Sequence, residues 1–272
     1  MAVECKECHN YLVTIATCVV CLAVALIFLK TNVEEHKDAL KNKKTETRKI
    51  IALILARGGS KGIIKKNLAL IQRETLLART IRKIKQVKEF DEIWVSTDDS
   101  EISKEALKAG AFVHSRDSAT AVDTAESIIA VQEFLNKHLD VEVIALIQCT
   151  SPFMKPEWLV EAHNKIMNEG YDSVFSVTRQ KKLRWKLNQD KTLSAVNFNP
   201  MKRPRRQDWE GELVETGMFY FATRQLIEQN KFQGERVGCI EIPSNHSLEI
   251  DVQLDLVVAQ SLATLFDETE SN

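Results

Sequence analysis

Residues Lys49 to Asn67 read K-I-I-A-L-I-L-A-R-G-G-S-K-G-I-I-K-K-N. From Ile50 to Ala56 the run is apolar at every position, the pattern of a central strand buried on both faces of a parallel sheet. It stops abruptly at Arg57-Gly58-Gly59-Ser60-Lys61-Gly62. A glycine-rich loop after a first strand lies where open α/β sheets place their ligands, and glycines let backbone N–H donors approach a bound group. Arg57, Lys61, Lys65 and Lys66 add positive charge, so the guest that suits the loop is a polyphosphate. The spacing is neither that of a phosphate-binding P-loop nor that of a dinucleotide fingerprint. Taken alone, the stretch is also compatible with a glycine turn that has a solvated basic rim.

Outward from this stretch the pattern alternates. Leu76, Leu77, Ile81, Ile84 and Val87 recur at helical spacing, and Glu92 to Thr97 reads as a second strand ending in Asp98-Asp99. A helix over Ser100 to Ala109 stops at Gly110, a strand covers Phe112 to His114, and a helix covers Thr124 to Leu139. Val141 to Ile147 is another fully apolar strand, closed by Gln148-Cys149-Thr150-Ser151-Pro152. A helix over Pro156 to Asn168 and a strand over Asp172 to Thr178 follow. This order predicts an α/β fold, a mostly parallel sheet with helices on both faces.

The alternation breaks over residues 179–215, which are rich in Lys, Arg, Asn and Gln and contain M-K-R-P-R-R-Q-D-W. This stretch reads as an insertion, either a lid or an arm that docks on another subunit. The regular pattern returns at Met218 to Ala222, Val237 to Ile242 and a helix from Gln253 to Phe266.

The segment before the domain has a different character. Tyr11 to Leu29 carries no charge and is long enough to cross a bilayer as a helix; Ala23-Val24-Ala25 also has the form of a signal-peptide cleavage site. Residues 30–48 read as a polar stem, which leaves 49–272 as the globular domain. A hydrophobic targeting segment predicts delivery to the secretory pathway. The lysine-rich flank after it favours a cytosolic domain by the positive-inside rule, whereas a cleaved signal and the acceptor sequence Asn245-His246-Ser247 favour the lumen. The lumenal orientation is the expectation adopted here.

Composition removes several classes. A formal net charge of -1 argues against general nucleic-acid binding. Four of the six cysteines (Cys5, Cys8, Cys18, Cys21) precede the domain, so there is no disulfide framework. Their paired spacing imitates a zinc knuckle, but the second pair sits inside the apolar run, where acylation or coincidence ranks above metal binding.

Within the domain, Asp98, Arg116 and Gln148 each follow a predicted strand, and in a parallel sheet these ends converge with the glycine loop on one crevice. Asp98-Asp99 alone reads as a helix N-cap before a metal ligand. Glu249-Ile250-Asp251 places two carboxylates on one face of an extended segment, a pair suited to Mg²⁺ beside a polyphosphate, or simply an acidic edge. Asp255 either joins them or caps the following helix.

Six motifs in order (L-A-R-G-G-S-K-G-x-x-x-K-N, W-V-S-T-D, I-Q-x-T-S-P, G-Y-D-S-V-F-S-V, K-R-P-R-R-Q-D-W and H-S-x-x-I-D-V) make residues 49 to 266 resemble the CMP-sialic acid synthetases, the N-acylneuraminate cytidylyltransferases. The resemblance implies a nucleotide-diphospho-sugar transferase fold of Rossmann-like, three-layer type and a homodimer. It also implies CTP as co-substrate, Mg²⁺, and sialic acid as acceptor. On the matching positions Arg57, Lys61 and Asn67 would hold CTP with Ser60 as a loop donor, and Arg116 and Gln148 would contact the nucleotide and line the sugar side. Arg203 matches the family's essential arginine, with Arg206 close by. The metal would sit on Asp251 and Glu249, where the family usually shows D-I-D; the longer Glu249 makes Asp251 the safer ligand. Some members carry a nucleotide-contacting serine where this chain has Ala125, while Ser127 remains. Competing readings are a cytidylyltransferase for another 2-keto sugar acid and a catalytically silent sugar-nucleotide binder. A nuclear-import role for K-R-P-R-R is the weakest, given the N-terminal apolar span.

Overall fold

The computed structural model describes Lys30 and residues 48–60, 62–122 and 124–270. Met1–Thr47 and Arg48–Asn272 are separate units, and the fold is that of the second. The expected membrane or signal segment at 11–29, the cysteine pairs, all of the stem but Lys30 and Arg48, and Lys61 lie outside the described residues. Among the described residues no helix is long and apolar enough to cross a membrane.

The strands are β1 (Ile50–Leu55), β2 (Leu70–Ile71), β3 (Glu74–Thr75), β4 (Glu92–Thr97), β5 (Phe112–Ser115), β6 (Val143–Ile147), β7 (Ser173–Gln180), β8 (Trp185–Leu187), β9 (Leu193–Ala195), β10 (Glu212–Thr223) and β11 (Val237–Glu241). The helices are α1 (Leu76–Ile84), α2 (Ser100–Ala109), α3 (Ser127–Lys137), α4 (Pro156–Asn168), α5 (Arg224–Glu228) and α6 (Gln253–Glu270). The main sheet has seven strands in the order β11-β7-β10-β6-β1-β4-β5. β1 pairs in parallel with both β4 and β6, as do β4 with β5 and β7 with β11.

β1 explains the layering. Its alternate residues Ile50, Ala52 and Ile54 join a core that includes Leu77 and Ile81 of α1, Ile102 of α2, Leu159 of α4 and Ala259 of α6. Ile51 and Leu53 face the other way, into a core with Ile128, Val131 and Phe134 of α3 and Ile227 of α5. Helices therefore cover both faces, and the unbroken apolar run is the consequence. Removing a side chain such as Leu53, fully buried, costs about 2–5 kcal/mol.

Local signals place most boundaries. Asp99 caps α2, accepting from Glu101 N at 2.7 Å and Ile102 N at 3.0 Å, and Gly110 ends it with φ +81°, a left-handed conformation that favours glycine.

The sheet is mostly parallel, as expected, and β10 is the strand that runs antiparallel, to both β6 and β7. Two boundaries are corrected. The predicted helix from Thr124 starts only at Ser127, because Glu126 before it is extended, and Ala125 lines the cleft described below. The insertion is shorter than 179–215, because β7 continues to Gln180 and β10 starts at Glu212. These strand extensions carry no apolar signal because they reach beyond the core. Arg179 there binds Glu241 at 2.7 Å and Arg184 binds Glu212 at 2.7 Å, polar contacts that leave no apolar alternation to read. The remaining arm contains the β8–β9 hairpin and two short 3₁₀ turns, Pro200–Lys202 and Arg206–Asp208.

Candidate active site

A cleft of about 570 Å³ opens at the carboxyl ends of β1, β5 and β6. Its lining holds Arg57, Ser60 and Asn67 from the glycine loop, Arg116 after β5, Ser127 at the start of α3, Gln148 after β6, and Glu249 and Asp251 before α6. The predicted convergence of strand ends is therefore what the parallel strands produce.

The loop after β1 is held from several sides. Gly58 N donates to Asp98 Oδ1 at 2.9 Å, and a Cβ on Gly58 would lie 2.9 Å from Asp99 Cβ. A Cβ on Gly62 would lie 2.2 Å from Asp251 O, so the glycine loop and the acidic segment touch through their backbones. A Cβ on Gly59 would meet nothing within 4 Å. Two of these glycines thus serve the protein's own packing. Neither Asp98 nor Asp99 lines the cleft; one secures the loop and the other caps α2.

The basic residues of the loop divide. Lys66 lines the cleft and its Nζ lies 3.0 Å from Asp251 Oδ1. Lys65, in a left-handed conformation with φ 50°, points to the start of α2 and pairs with Glu101 at 2.6 Å. The expectation that all the loop cations serve one guest is corrected accordingly: Lys65 is occupied by α2. Asn67 is buried, donates Nδ2 to Arg57 O at 3.1 Å and accepts from Cys149 Sγ at 3.0 Å. It braces the loop as well as lining the cleft. Burial pushes the Cys149 thiol up to about 12, so it is no nucleophile at neutral pH.

Arg116 is 8% exposed, and burial first of all lowers its pKa, with nearby Arg57 adding to the effect while Asp98 and Glu133 oppose it. A desolvated arginine beside a second one is a site that an anion stabilises.

Glu249 and Asp251 flank Ile250, which is fully buried and whose N–H donates to Thr150 O at 2.9 Å. The segment pairs with no strand, and the alternation around buried Ile250 leaves both carboxylates on the cleft, as expected. Asp255 caps the turn, accepting from Asp251 N and Val252 N at 2.9 Å each, and does not line the cleft. Burial, then repulsion from Asp251, raises the Glu249 pKa; Lys66 and the Thr150 hydroxyl oppose this. Among the described residues no group of three or more His, Cys, Asp or Glu could hold a metal. A carboxylate pair still fits Mg²⁺, which needs only one or two such ligands when phosphate oxygens and waters complete its shell. The mutual repulsion and the Lys66 ammonium on Asp251 mark a place where positive charge is favoured.

Arg203 and Arg206 do not join the cleft; they are exposed on the arm. Thr150 lines the cleft without having been a candidate, and Lys66, expected only as one of the loop cations, joins it there. The signal for Thr150 was available, since it sits inside the motif that supplied Gln148.

A family model for cytidylyltransferases matches residues 51–269. N-acylneuraminate cytidylyltransferase A of Danio rerio is 43% identical over 236 residues, covering 86% of this chain and 55% of the relative. The chain thus spans about half the length of that relative. CMP-N,N'-diacetyllegionaminic acid synthase of Legionella pneumophila is 33% identical over 81% of this chain and 98% of its own length. A solved structure of CMP:2-keto-3-deoxy-manno-octonic acid synthetase complexed with CTP shares the fold, with a TM-score of 0.61 at 15% identity, over 80% of this chain and 99% of that one. With the match spanning the whole sheet and every cleft-lining loop, this chain belongs to the cytidylyltransferase family.

Proposed function

We propose that the protein is an N-acylneuraminate cytidylyltransferase, transferring CMP from CTP to the anomeric hydroxyl of sialic acid with release of pyrophosphate. The observation that carries this is the cleft, which gathers Arg57, Lys66, Arg116 and Gln148 with the Glu249–Asp251 pair at the mouth of the parallel strands. The 43% identity to the Danio rerio enzyme supports the acceptor.

In the reaction the anomeric oxygen forms a bond to the α-phosphorus, and the bond from that phosphorus to the bridging oxygen of the β-phosphate breaks. The hydroxyl proton passes to solvent. Arg57, Arg116 and Lys66 hold the triphosphate in line, and the N–H groups at Gly59 and Ser60 are donors for its oxygens. Gln148 offers an acceptor and two donors to fix orientation. Asp251 and Glu249 would hold a divalent cation, which supplies charge neutralisation on the phosphoryl oxygens. Lys66, whose Nζ lies 3.0 Å from Asp251 Oδ1 on the cleft wall, offers its ammonium to a phosphate oxygen beside that pair.

The active form is a homodimer. Arg203 and Arg206 lie on an exposed arm away from their own chain's cleft, and Trp185, Leu187 and Leu193 of the same arm are exposed apolar residues that a second subunit would cover. The arm therefore brings Arg203 to the partner's cleft. The N-terminal apolar segment directs the chain to the secretory pathway, with the Golgi as the compartment and the domain in the lumen. Protease protection in intact microsomes tests this, and digestion without detergent would place the domain in the cytosol.

The functional test is pyrophosphate release by the purified protein with CTP, Mg²⁺ and a panel of 2-keto sugar acids. Turnover specific to CTP and sialic acid, abolished by EDTA, is expected; comparable rates with ATP or GTP would refute it. Preference for another acid of the panel would favour the second reading, which the match to nearly all of the legionaminic acid enzyme supports.

A further inference from the structure

Arg116 does not reach the cleft by its own rotamer alone. Its backbone N–H extends the sheet by donating to Thr97 O at 3.0 Å, after which the chain turns through Ser118–Thr120. Within that turn the guanidinium folds back: Nε donates to Thr120 Oγ1 at 3.3 Å and Nη2 to Thr120 O. The turn in turn is held by Glu133 on α3. Glu133 Oε1 accepts from Asp117 N at 2.9 Å, and Oε2 accepts from Thr120 Oγ1 at 2.6 Å.

The Thr120 hydroxyl has a single proton. Asp117 O is also within reach at 3.0 Å, but the shorter, charge-assisted bond to Glu133 claims the proton. With the proton committed there, an oxygen lone pair remains to accept from Arg116 Nε. The carboxylate thereby sets the polarity of the chain Arg116 to Thr120 to Glu133. Its side chain is only 16% exposed, and burial works against its ionisation. The Thr120 hydroxyl, the Asp117 N–H, Lys137 and His114 outweigh that and hold its carboxyl below the usual range. It is therefore an anion throughout the neutral range. Glu133 itself does not line the cleft.

We propose that Glu133 is a positioning residue for the reaction, acting through Thr120 to hold the Arg116 guanidinium at the nucleotide's phosphates. The proposal rests on the reading of Arg116 as a nucleotide-binding group. Nothing in the local sequence marks Glu133, since it occurs in a helix like any solvent-facing carboxylate; only the packing of α3 against the 116–120 turn gives it a role.

The test compares Glu133→Ala, Thr120→Val and Arg116→Ala, singly and in combination. Glu133→Ala should raise KM for CTP about tenfold with kcat changed by no more than about twofold, since it loosens a binding group and leaves the reacting atoms alone. Thr120→Val should reproduce the effect while leaving the Glu133–Lys137 pair in place. Glu133→Gln can still accept from Asp117 N and donate to Thr120 Oγ1, so it should recover most of the affinity. In the Arg116→Ala background, Glu133→Ala should add no further loss, because the residues act in series. A further loss as large as in the wild-type background would overturn the proposal.

One arm is independent of substrate: the NMR signal of the Arg116 Nε–H, sharp and slow to exchange in the wild-type protein. Its persistence unchanged in Glu133→Ala would also overturn the proposal, whereas broadening or loss supports it. If the wild-type protein binds no CTP while this signal is lost in the variant, the nucleotide reading has failed and the clamp on Arg116 stands.

Discussion

Gly62→Ala tests the contact on which the geometry of the cleft depends. The added Cβ would sit 2.2 Å from Asp251 O, a backbone atom that no side-chain rotation can move aside. A relaxed C···O contact is about 3.3 Å, so the glycine loop and the acidic segment must separate by about 1 Å. That shift moves Asp251 and Glu249 away from Ser60 and Arg57, and a displacement of about 1 Å in a catalytic constellation costs on the order of 10²-fold in rate. Both segments are at the surface, so the stability loss should stay near about 1 kcal/mol, a fall in Tm of about 2–4 °C. The assay is kcat/KM from pyrophosphate release, with thermal unfolding in parallel. Gly59→Ala, whose Cβ meets nothing within 4 Å, is the control for stability and should leave Tm unchanged. Retention of kcat/KM within about threefold by Gly62→Ala would refute the reasoning, because the barrier change would then be under about 1 kcal/mol.

Three further outcomes are expected. Glu249→Gln removes a half-buried charge that Asp251 repels, so the ligand-free protein should gain about 1–3 °C in Tm while losing stabilisation by Mg²⁺; a lower Tm would contradict this. His114, His138 and His163 are each pushed below the usual histidine range, chiefly by burial. The unfolded chain therefore binds more protons below about pH 6.5, and the urea midpoint should fall between about pH 7 and pH 5.5; a flat or rising midpoint would show that these rings are not held neutral. Mixing inactive Arg203→Ala with inactive Asp251→Ala under subunit exchange should restore about one quarter of wild-type activity, since half the dimers are mixed and each holds one intact centre. No recovery despite demonstrated exchange would place Arg203 in its own chain's site.

The sequence by itself determined what depends on burial and on local chain geometry. Ile50 to Leu55 had to be a central strand because no face of it can meet water, and α2 had to run from Asp99 to Gly110 because its cap and its terminator are both written there. Once those strands are parallel, Arg57, Arg116 and Gln148 must open on one side, so the cleft was legible before any coordinates. The tertiary structure decided everything that depends on which neighbour a polar group finds. Lys65 and Lys66 are adjacent and chemically identical, yet one pairs with Glu101 and the other with Asp251 in the cleft. Asn67 turns inward to Cys149, 82 residues away, and to Arg57 O, 10 away, and Glu133 holds the turn beneath Arg116 from 16 residues beyond Asp117. The reversed β10 and the reach of β7 and β10 beyond the core were hidden for the same reason. Hydrophobic periodicity reports burial, which is non-directional, while hydrogen bonds and ion pairs are directional and need both partners placed before either can be assigned.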